Sequence, residues 1–323
     1  METPGLPASE ELRAALAPLC AAAGISTHAL VSIRREENDY SSSYASEIAA
    51  CCFADGSERR IFLKYMASLD EGQRDHGIRG GLAYEALVYS EMLRDGFRPA
   101  FHGLHTGRDG ALWLVLEFME DAVRLHHAED ETAFVKAAAW LGRFHAAQEK
   151  HLAAARPAGI RVCDAEFHRG WARRTNEFAG DWHGRAPWLA GLCESFDEVI
   201  AALLASPLTL VHGEFYPHNI LFHEGRIFTI DWESAALGAG EIDLAALTED
   251  WLEEAAMDCQ REYCAARWPG GAPEFFERRL AAARVYMHLR WLGEHPGWTQ
   301  QEGEAQWRLA ELKRSAERFG VAG

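Results

Sequence analysis

The sequence predicts an α+β protein in two parts, a small antiparallel sheet with one inserted helix followed by a larger, mainly helical part. Three observations predict it. Short apolar runs separated by turn residues continue as far as Phe118. Apolar residues then recur at helical spacing over most of the chain after Met119. A single strand-like interruption, Leu208 to Phe228, breaks that second pattern around a polar loop.

Residues 10 to 23 are rich in Ala and Leu and form a helix that Gly24 ends, because glycine takes a positive φ at little cost. Leu30 to Arg34, Glu47 to Phe53 and Arg60 to Met66 read as strands, with Ala54-Asp55-Gly56-Ser57 as the hairpin turn between the last two. Leu82, Ala86, Tyr89 and Leu93 share a helix face from Gly81 to Arg94, closed by Gly96. Two more strands, Ala100 to His105 and Ala111 to Phe118, flank Gly107-Arg108-Asp109-Gly110. Beyond them, Phe134, Ala138, Leu141 and His145 form the buried stripe of a long helix from Glu131 to Leu152, with His145 a hydrogen-bonded core residue. Further helices fit Ser195 to Leu204, Leu244 to Tyr263, Pro273 to Trp291 and Glu302 to Phe319.

Composition narrows the function classes. In 323 residues, eleven Trp, sixteen Phe and 48% hydrophobic content supply ample core. A formal charge of -17 opposes encounter with nucleic acid or an acidic membrane surface and favours cationic small molecules. The seven cysteines are odd in number and show no paired metal-site spacing, so they read as reduced thiols, with Cys51 and Cys52 filling a strand. No apolar stretch is long enough to span a bilayer, and Met1 to Glu11 carries acidic residues where a secretory signal would carry basic ones. A cytoplasmic location is expected.

The chemistry concentrates between Leu210 and Asp243. Two apolar arms flank the loop His212-Gly213-Glu214-Phe215-Tyr216-Pro217-His218-Asn219, and Asp231 follows the second arm. Phosphoryl transfer from ATP needs oxygen ligands for a metal that bridges phosphates, and a carboxylate beside the attacking hydroxyl. Glu214, Asn219 and Asp231 supply those groups, and the five-residue step from Glu214 to Asn219 matches a kinase catalytic loop. Hard oxygen ligands suit Mg²⁺. His212, His218 and His223 form no HExxH pattern, which disfavours a metal hydrolase, and no nucleophile elbow is present.

His212-Gly213-Glu214 with Asn219, followed by Ile230-Asp231-Trp232-Glu233, resembles the catalytic loop and metal segment of the aminoglycoside phosphotransferase and choline kinase family. The resemblance spans roughly residues 25 to 295 and is specific in this loop. It implies a two-lobed protein-kinase-like fold with ATP and Mg²⁺ between the lobes. Glu214 takes the catalytic-base position, Asn219 and Asp231 the magnesium positions, His212 a loop-supporting position, and Asp243 the position of a buried brace. On the third strand Lys64 stands where a phosphate-binding lysine belongs, with Glu85 as its helix partner and Glu91 as the competing one. Ser42 and Ser43 fall in the phosphate-covering loop, which lacks a G-x-G-x-x-G pattern, and Glu117, Phe118 and Met119 resemble the hinge that meets adenine. The implied domains are an N-terminal helix at 1–24, a nucleotide-binding lobe at 25–119 and a catalytic, acceptor-binding lobe at 120–323.

One departure stands out. The family pattern has Asp where this chain has Glu214, a difference of about 1.5 Å in reach. The expected reaction is transfer of the γ-phosphoryl of ATP to a hydroxyl of a small molecule, such as an aminoglycoside-like compound, an amino alcohol or a sugar. A cationic acceptor is favoured by Glu249, Asp250, Glu253 and Glu254 on one helix. The alternatives are a nucleotide-binding scaffold without turnover and a kinase acting on a peptide hydroxyl.

Overall fold

The computed structural model describes residues 6–38, 44–66, 79–93, 96–154, 157–205, 207–249, 253–294, 297–300 and 302–321. The chain divides into two compact units, residues 1–122 with 228–233, and residues 123–227 with 234–323.

The first unit opens with α1 (Ser9–Ala22), whose Leu12, Leu16 and Cys20 recur every four residues and are buried. The strands β1 (Leu30–Glu37), β2 (Ala45–Phe53) and β3 (Glu58–Met66) follow, then α2 (Gly81–Glu91), β4 (Phe101–Thr106) and β5 (Leu112–Glu117). They make one antiparallel sheet in the order β1-β2-β3-β5-β4. The period of two along β3 sorts its side chains. Ile61, Leu63 and Tyr65 join Cys51, Val115 and the buried face of α1 in one apolar core. Lys64 is thereby sent to the opposite face of the sheet.

The second unit begins with β6 (Val123–Arg124) and α3 (Ala133–Ala154), and continues through α4 (Ala165–Ala179), α5 (Trp188–Glu194) and α6 (Asp197–Leu204). Four short strands come next: β7 (Leu208–Val211), β8 (Ile220–His223), β9 (Arg226–Thr229), whose last two residues belong to the first unit, and β10 (Ala236–Ala239). The helices α7 (Glu241–Leu247), α8 (Glu253–Arg267), α9 (Phe276–Glu294) and α10 (Glu302–Phe319) complete it. Ala138, Leu141 and His145 of α3 are fully buried. Close approach of α3 and α8 depends on Gly142, since a Cβ there would lie 2.4 Å from the Tyr263 carbonyl oxygen.

Several elements depart from the sequence reading. The helix expected from Leu244 to Tyr263 is two helices, α7 and α8; Thr248 leaves helical geometry at the end of α7, with its hydroxyl donating to the Leu244 carbonyl at 2.8 Å. The sequence reading also missed α4, although Asp164 caps it by accepting from the Phe167 N–H at 2.8 Å. It missed β10 as well. Ala-Leu-Gly-Ala has little strand propensity, and the strand exists through pairing with β7, Leu237 opposite Leu210.

Burial in this unit has a pH consequence. His168 is 1% exposed, its Nδ1 has no hydrogen-bond partner among the described residues, and burial lowers its pKa to about 4. Above pH 6.5 the ring is neutral in both folded and unfolded chains; as pH falls, the unfolded chain takes up the proton first and stability is lost down to the folded value. Urea unfolding followed from pH 7 to pH 4 is expected to lose about 3 kcal/mol through this one group. His168→Phe should flatten that part of the profile, and an unchanged slope would refute the assignment.

Candidate functional site

The first unit gathers Lys64 and several carboxylates on the sheet face opposite the α1 core, and Arg79 lies 3.8 Å from one of those carboxylates, Glu233. Lys64, 4% exposed, donates from Nζ to Glu85 Oε2 at 2.9 Å and to Asp231 Oδ1 at 2.6 Å. The other Glu85 oxygen accepts from the Trp232 N–H at 3.2 Å, so this carboxylate ties β3 to the 228–233 segment. The same segment is fastened at its start, where the Thr229 hydroxyl donates to the Phe97 carbonyl at 3.2 Å, and at its end, where the Gly80 N–H donates to the Glu233 carbonyl at 2.9 Å. Glu91 is exposed and makes no such pair among the described residues.

Asp231 differs from its partners in two ways. Its φ is +68°, a left-handed conformation uncommon for residues other than glycine and frequent at functional sites. Its side chain is 27% exposed, whereas those of Lys64 and Glu85 are 5% and 1% exposed. The carboxylate therefore meets the lysine on one side and solvent on the other. Burial pulls the Lys64 pKa down, but Glu85, Asp231 and Glu233 outweigh it and hold the ammonium charged. The Tyr44 ring lies 4.9 Å from that ammonium. Burial raises Glu233 to about 7, with Asp231 and Glu85 adding to the rise and Lys64 opposing it.

Of the remaining expected residues here, Ser42 and Ser43 lie outside the described residues. Glu117 is exposed; its N–H donates to the Ala100 carbonyl and its Oε2 accepts from the Ala100 N–H, each at 2.9 Å. Met119 is half-buried, and its carbonyl accepts from the Ala122 N–H at 3.4 Å.

The second unit holds the loop. Asp243, completely buried, accepts from the backbone N–H of His212 at 2.7 Å and of Gly213 at 2.9 Å. Gly213 is required twice over, by a φ of +82° and because a Cβ would lie 2.6 Å from the Ser234 carbonyl oxygen. Burial lowers the His145 pKa against the pull of Asp243, so the ring is neutral; its Nε2 faces Asp243 Oδ2 at 3.3 Å and its Nδ1 faces the Tyr263 hydroxyl at 3.0 Å. With Nε2 as the protonated nitrogen both contacts are satisfied. Tyr263 accepts in turn from Arg267, which also pairs with Glu149 at 2.9 Å. A chain of buried polar groups thus anchors the loop to α3 and α8.

At the loop itself, His212 Nδ1 accepts from the Glu214 N–H at 3.3 Å, and Asn219 donates its amide to the Glu214 carbonyl at 3.0 Å. That bond fixes the Asn219 amide and assigns its oxygen. The Glu214 carboxylate is held by a residue that sequence reasoning missed: Arg290 of α9, 6% exposed, donates to Glu214 Oε1 at 3.0 Å and to the Gly213 carbonyl at 2.6 Å. Burial lowers the Arg290 pKa, yet Glu294 and Glu214 reverse this and the net shift is upward. The available signal was the i,i+4 pair of Arg290 and Glu294, 3.5 Å apart, on an otherwise apolar helix face. Two site clusters result, Lys64 with Glu85 and Asp231 in the first unit, and Glu214 with Asn219 and Arg290 in the second. Among the described residues no group of three or more His, Cys, Asp or Glu is placed to hold a metal ion by itself.

The fold and this loop define the class as a kinase-type phosphotransferase. The chain belongs to the phosphotransferase enzyme family, whose model matches residues 94–277, more than half of its length. N-acetylmuramate/N-acetylglucosamine kinase of Neisseria meningitidis serogroup B is 26% identical over 141 residues, 39% of this chain and 42% of that protein, so the match spans less than half of that relative. A spectinomycin phosphotransferase solved with ADP and spectinomycin is 12% identical, with a TM-score of 0.54 over 95% of this chain and 97% of the other. A choline kinase from Cryptosporidium parvum, also 12% identical, has a TM-score of 0.60 over 90% of this chain and 91% of its own. Likeness at these identities establishes the protein-kinase-like fold.

Proposed function

We propose that this chain transfers the γ-phosphoryl group of ATP to a hydroxyl of a small molecule. The observation that carries the reading is Lys64, buried and charged between Glu85 and the left-handed Asp231. A lysine so placed is a fixed cation for phosphate oxygens, and the carboxylate beside it stays open to solvent for a cation. The ADP in the spectinomycin phosphotransferase agrees with a nucleotide donor.

Asn219 in the second unit and Asp231 in the first each offer an oxygen ligand of the hard kind that suits Mg²⁺. Asn219 spends its amide nitrogen on the Glu214 carbonyl, which leaves the amide oxygen as its remaining ligand atom, and Asp231 contributes a partly exposed carboxylate. When bound, the ion would neutralise charge on the phosphates. Glu214 orients the acceptor hydroxyl, and Lys64, positioned by Glu85, holds the nucleotide phosphates. Residues 25–119 form the nucleotide-binding part. Because Ala100 occupies the Glu117 N–H and carboxylate, the adenine edge is met by backbone near Met119. Residues 120–323 supply catalysis and the acceptor seat. All seven cysteines are free thiols, in keeping with a reducing cytoplasm, and no helix among the described residues is long and apolar enough to cross a membrane.

The test is mass spectrometry of a hydroxylated metabolite panel incubated with ATP and Mg²⁺, beside Asp231→Ala. One acceptor should gain a single phosphate with the natural chain and none with the variant. ATP binding without transfer to any small molecule would instead favour the scaffold, and phosphate on a peptide would favour a protein kinase.

A further inference from the structure

The loop of the second unit ends in a single tight turn, Pro217–Asn219, closed by the Asn219 N–H donating to the Tyr216 carbonyl at 2.9 Å. A turn this short cannot satisfy its own last carbonyls, so those of Pro217 and His218 draw partners from elsewhere in the chain or from solvent. One segment reaches both. Arg124 of β6 donates from Nη1 to the His218 carbonyl, and the His126 ring, two residues on, bonds the Pro217 carbonyl.

Arg124 also meets the other side of the turn. Its backbone pairs with Leu221 in the antiparallel ladder of β6 and β8, two residues after Asn219, while its guanidinium holds the peptide that joins His218 to Asn219. We propose that Arg124 is a positioning residue for Asn219, capping the turn so that the Asn219 amide oxygen keeps one direction toward a divalent cation. The cation rests on the reading of Asn219 as a magnesium ligand; the hold of Arg124 on the Asn219 side chain stands apart from it.

The geometry leaves the Asn219 oxygen few ways to be aimed. Asn219 is 5% exposed, and its amide nitrogen is already committed to the Glu214 carbonyl at 3.0 Å. With that bond made, the direction of the oxygen follows the tilt of the peptide entering Asn219. The N–H end of this peptide is held by the Tyr216 carbonyl, and its C=O end by Arg124. Two fixed ends define a plane. Loss of the guanidinium releases one of them, and Mg²⁺, which demands near-ideal octahedral geometry, tolerates little error in a ligand oxygen.

The fold itself asks less of this arginine. Its bond to His218 lies on the exposed side of the loop, where water can replace a lost donor at small net cost. The pairing of β6 with β8 is made by backbone, and the stacked rings of Tyr216 and His218, 5.5 Å apart and 13° from parallel, support the turn from within. Removing the guanidinium therefore leaves the turn in place and frees the tilt of one peptide.

Titration of the full chain with Mn²⁺ in the presence of ADP, read by electron paramagnetic resonance, tests this, Mn²⁺ being a hard divalent cation that takes oxygen ligands as Mg²⁺ does. Arg124→Met should weaken Mn²⁺ binding about tenfold to a hundredfold, leave metal-free ADP binding and the urea midpoint nearly unchanged, and be partly rescued by Arg124→Lys. Added to Asn219→Ala, the same substitution should change Mn²⁺ binding by less than about twofold, because nothing is left to position. Mn²⁺ binding unchanged in Arg124→Met, a full effect in the Asn219→Ala background, or an equal loss of metal-free ADP binding would each overturn the proposal. A readout without metal keeps the two readings apart. The Asn219 side-chain amide signal in NMR spectra, identified by its absence from Asn219→Ala, should lose protection from exchange in Arg124→Met and regain it in Arg124→Lys. Unchanged protection would overturn the proposal whether or not metal binds, whereas a natural chain that binds no Mn²⁺ with ADP would count against the magnesium reading alone.

Discussion

Lys64→Met is expected to lower kcat/KM for ATP by about a hundredfold to a thousandfold and to destabilise the first unit by about 3–5 kcal/mol. Both effects share one origin. The ammonium sits between a carboxylate whose side chain is 1% exposed and another that is 27% exposed. Without it, Glu85 must either remain ionised in a dry site or take up a proton, and each choice is costly. Asp231 is less affected, because solvent reaches it. The Glu85→Gln variant sharpens the comparison, since it keeps Lys64 charged beside Asp231 and should cost less stability while still loosening the lysine. Urea unfolding and steady-state ADP release measure the two effects separately. Turnover within threefold of the natural chain in Lys64→Met would remove the lysine from any phosphate-binding role.

The sheet of the first unit was legible because each of its strands carries its own local signal. Alternation along Ile61, Leu63 and Tyr65 fixes which face of β3 is buried, and that alone puts Lys64 on the other face, where α2 presents Glu85. The left-handed turn at Asp231 was not legible, since nothing in Ile-Asp-Trp-Glu demands a positive φ; it follows from bonds made by Glu85 to Trp232 and by Gly80 to Glu233. The split of α7 from α8 was hidden because helical spacing runs through Thr248, where the backbone leaves helical geometry. Most hidden of all was Arg290. It sits 76 residues from Glu214 among buried apolar neighbours on α9, and a pattern that sorts residues into apolar and charged marks it as an exception without naming its partner.

That arginine bears on the one departure from the family pattern. A glutamate reaches about 1.5 Å farther than an aspartate, and here the longer arm meets a guanidinium that also holds the Gly213 carbonyl. Glu214→Asp is therefore expected to pull the carboxylate off Arg290, opening the 3.0 Å contact by about the length of one bond. A displacement of that size costs about a hundredfold in kcat, with KM for ATP nearly unchanged because Lys64, the proposed phosphate contact, is untouched. Arg290→Met should act mainly on stability. It takes from Glu214 and Glu294, whose side chains are 13% and 10% exposed, a buried guanidinium contact, and a loss of about 3 kcal/mol is expected by urea unfolding. The two variants separate positioning from folding: the first keeps the arginine and moves the carboxylate, while the second removes the arginine and leaves the carboxylate length intact. If Glu214→Asp turned over faster than the natural chain, the glutamate would be a tolerated drift from aspartate rather than half of a matched pair. A slow Glu214→Asp in a fully stable fold would instead mean that this chain places its acceptor hydroxyl to suit the longer side chain, with Arg290 setting where that carboxylate stands.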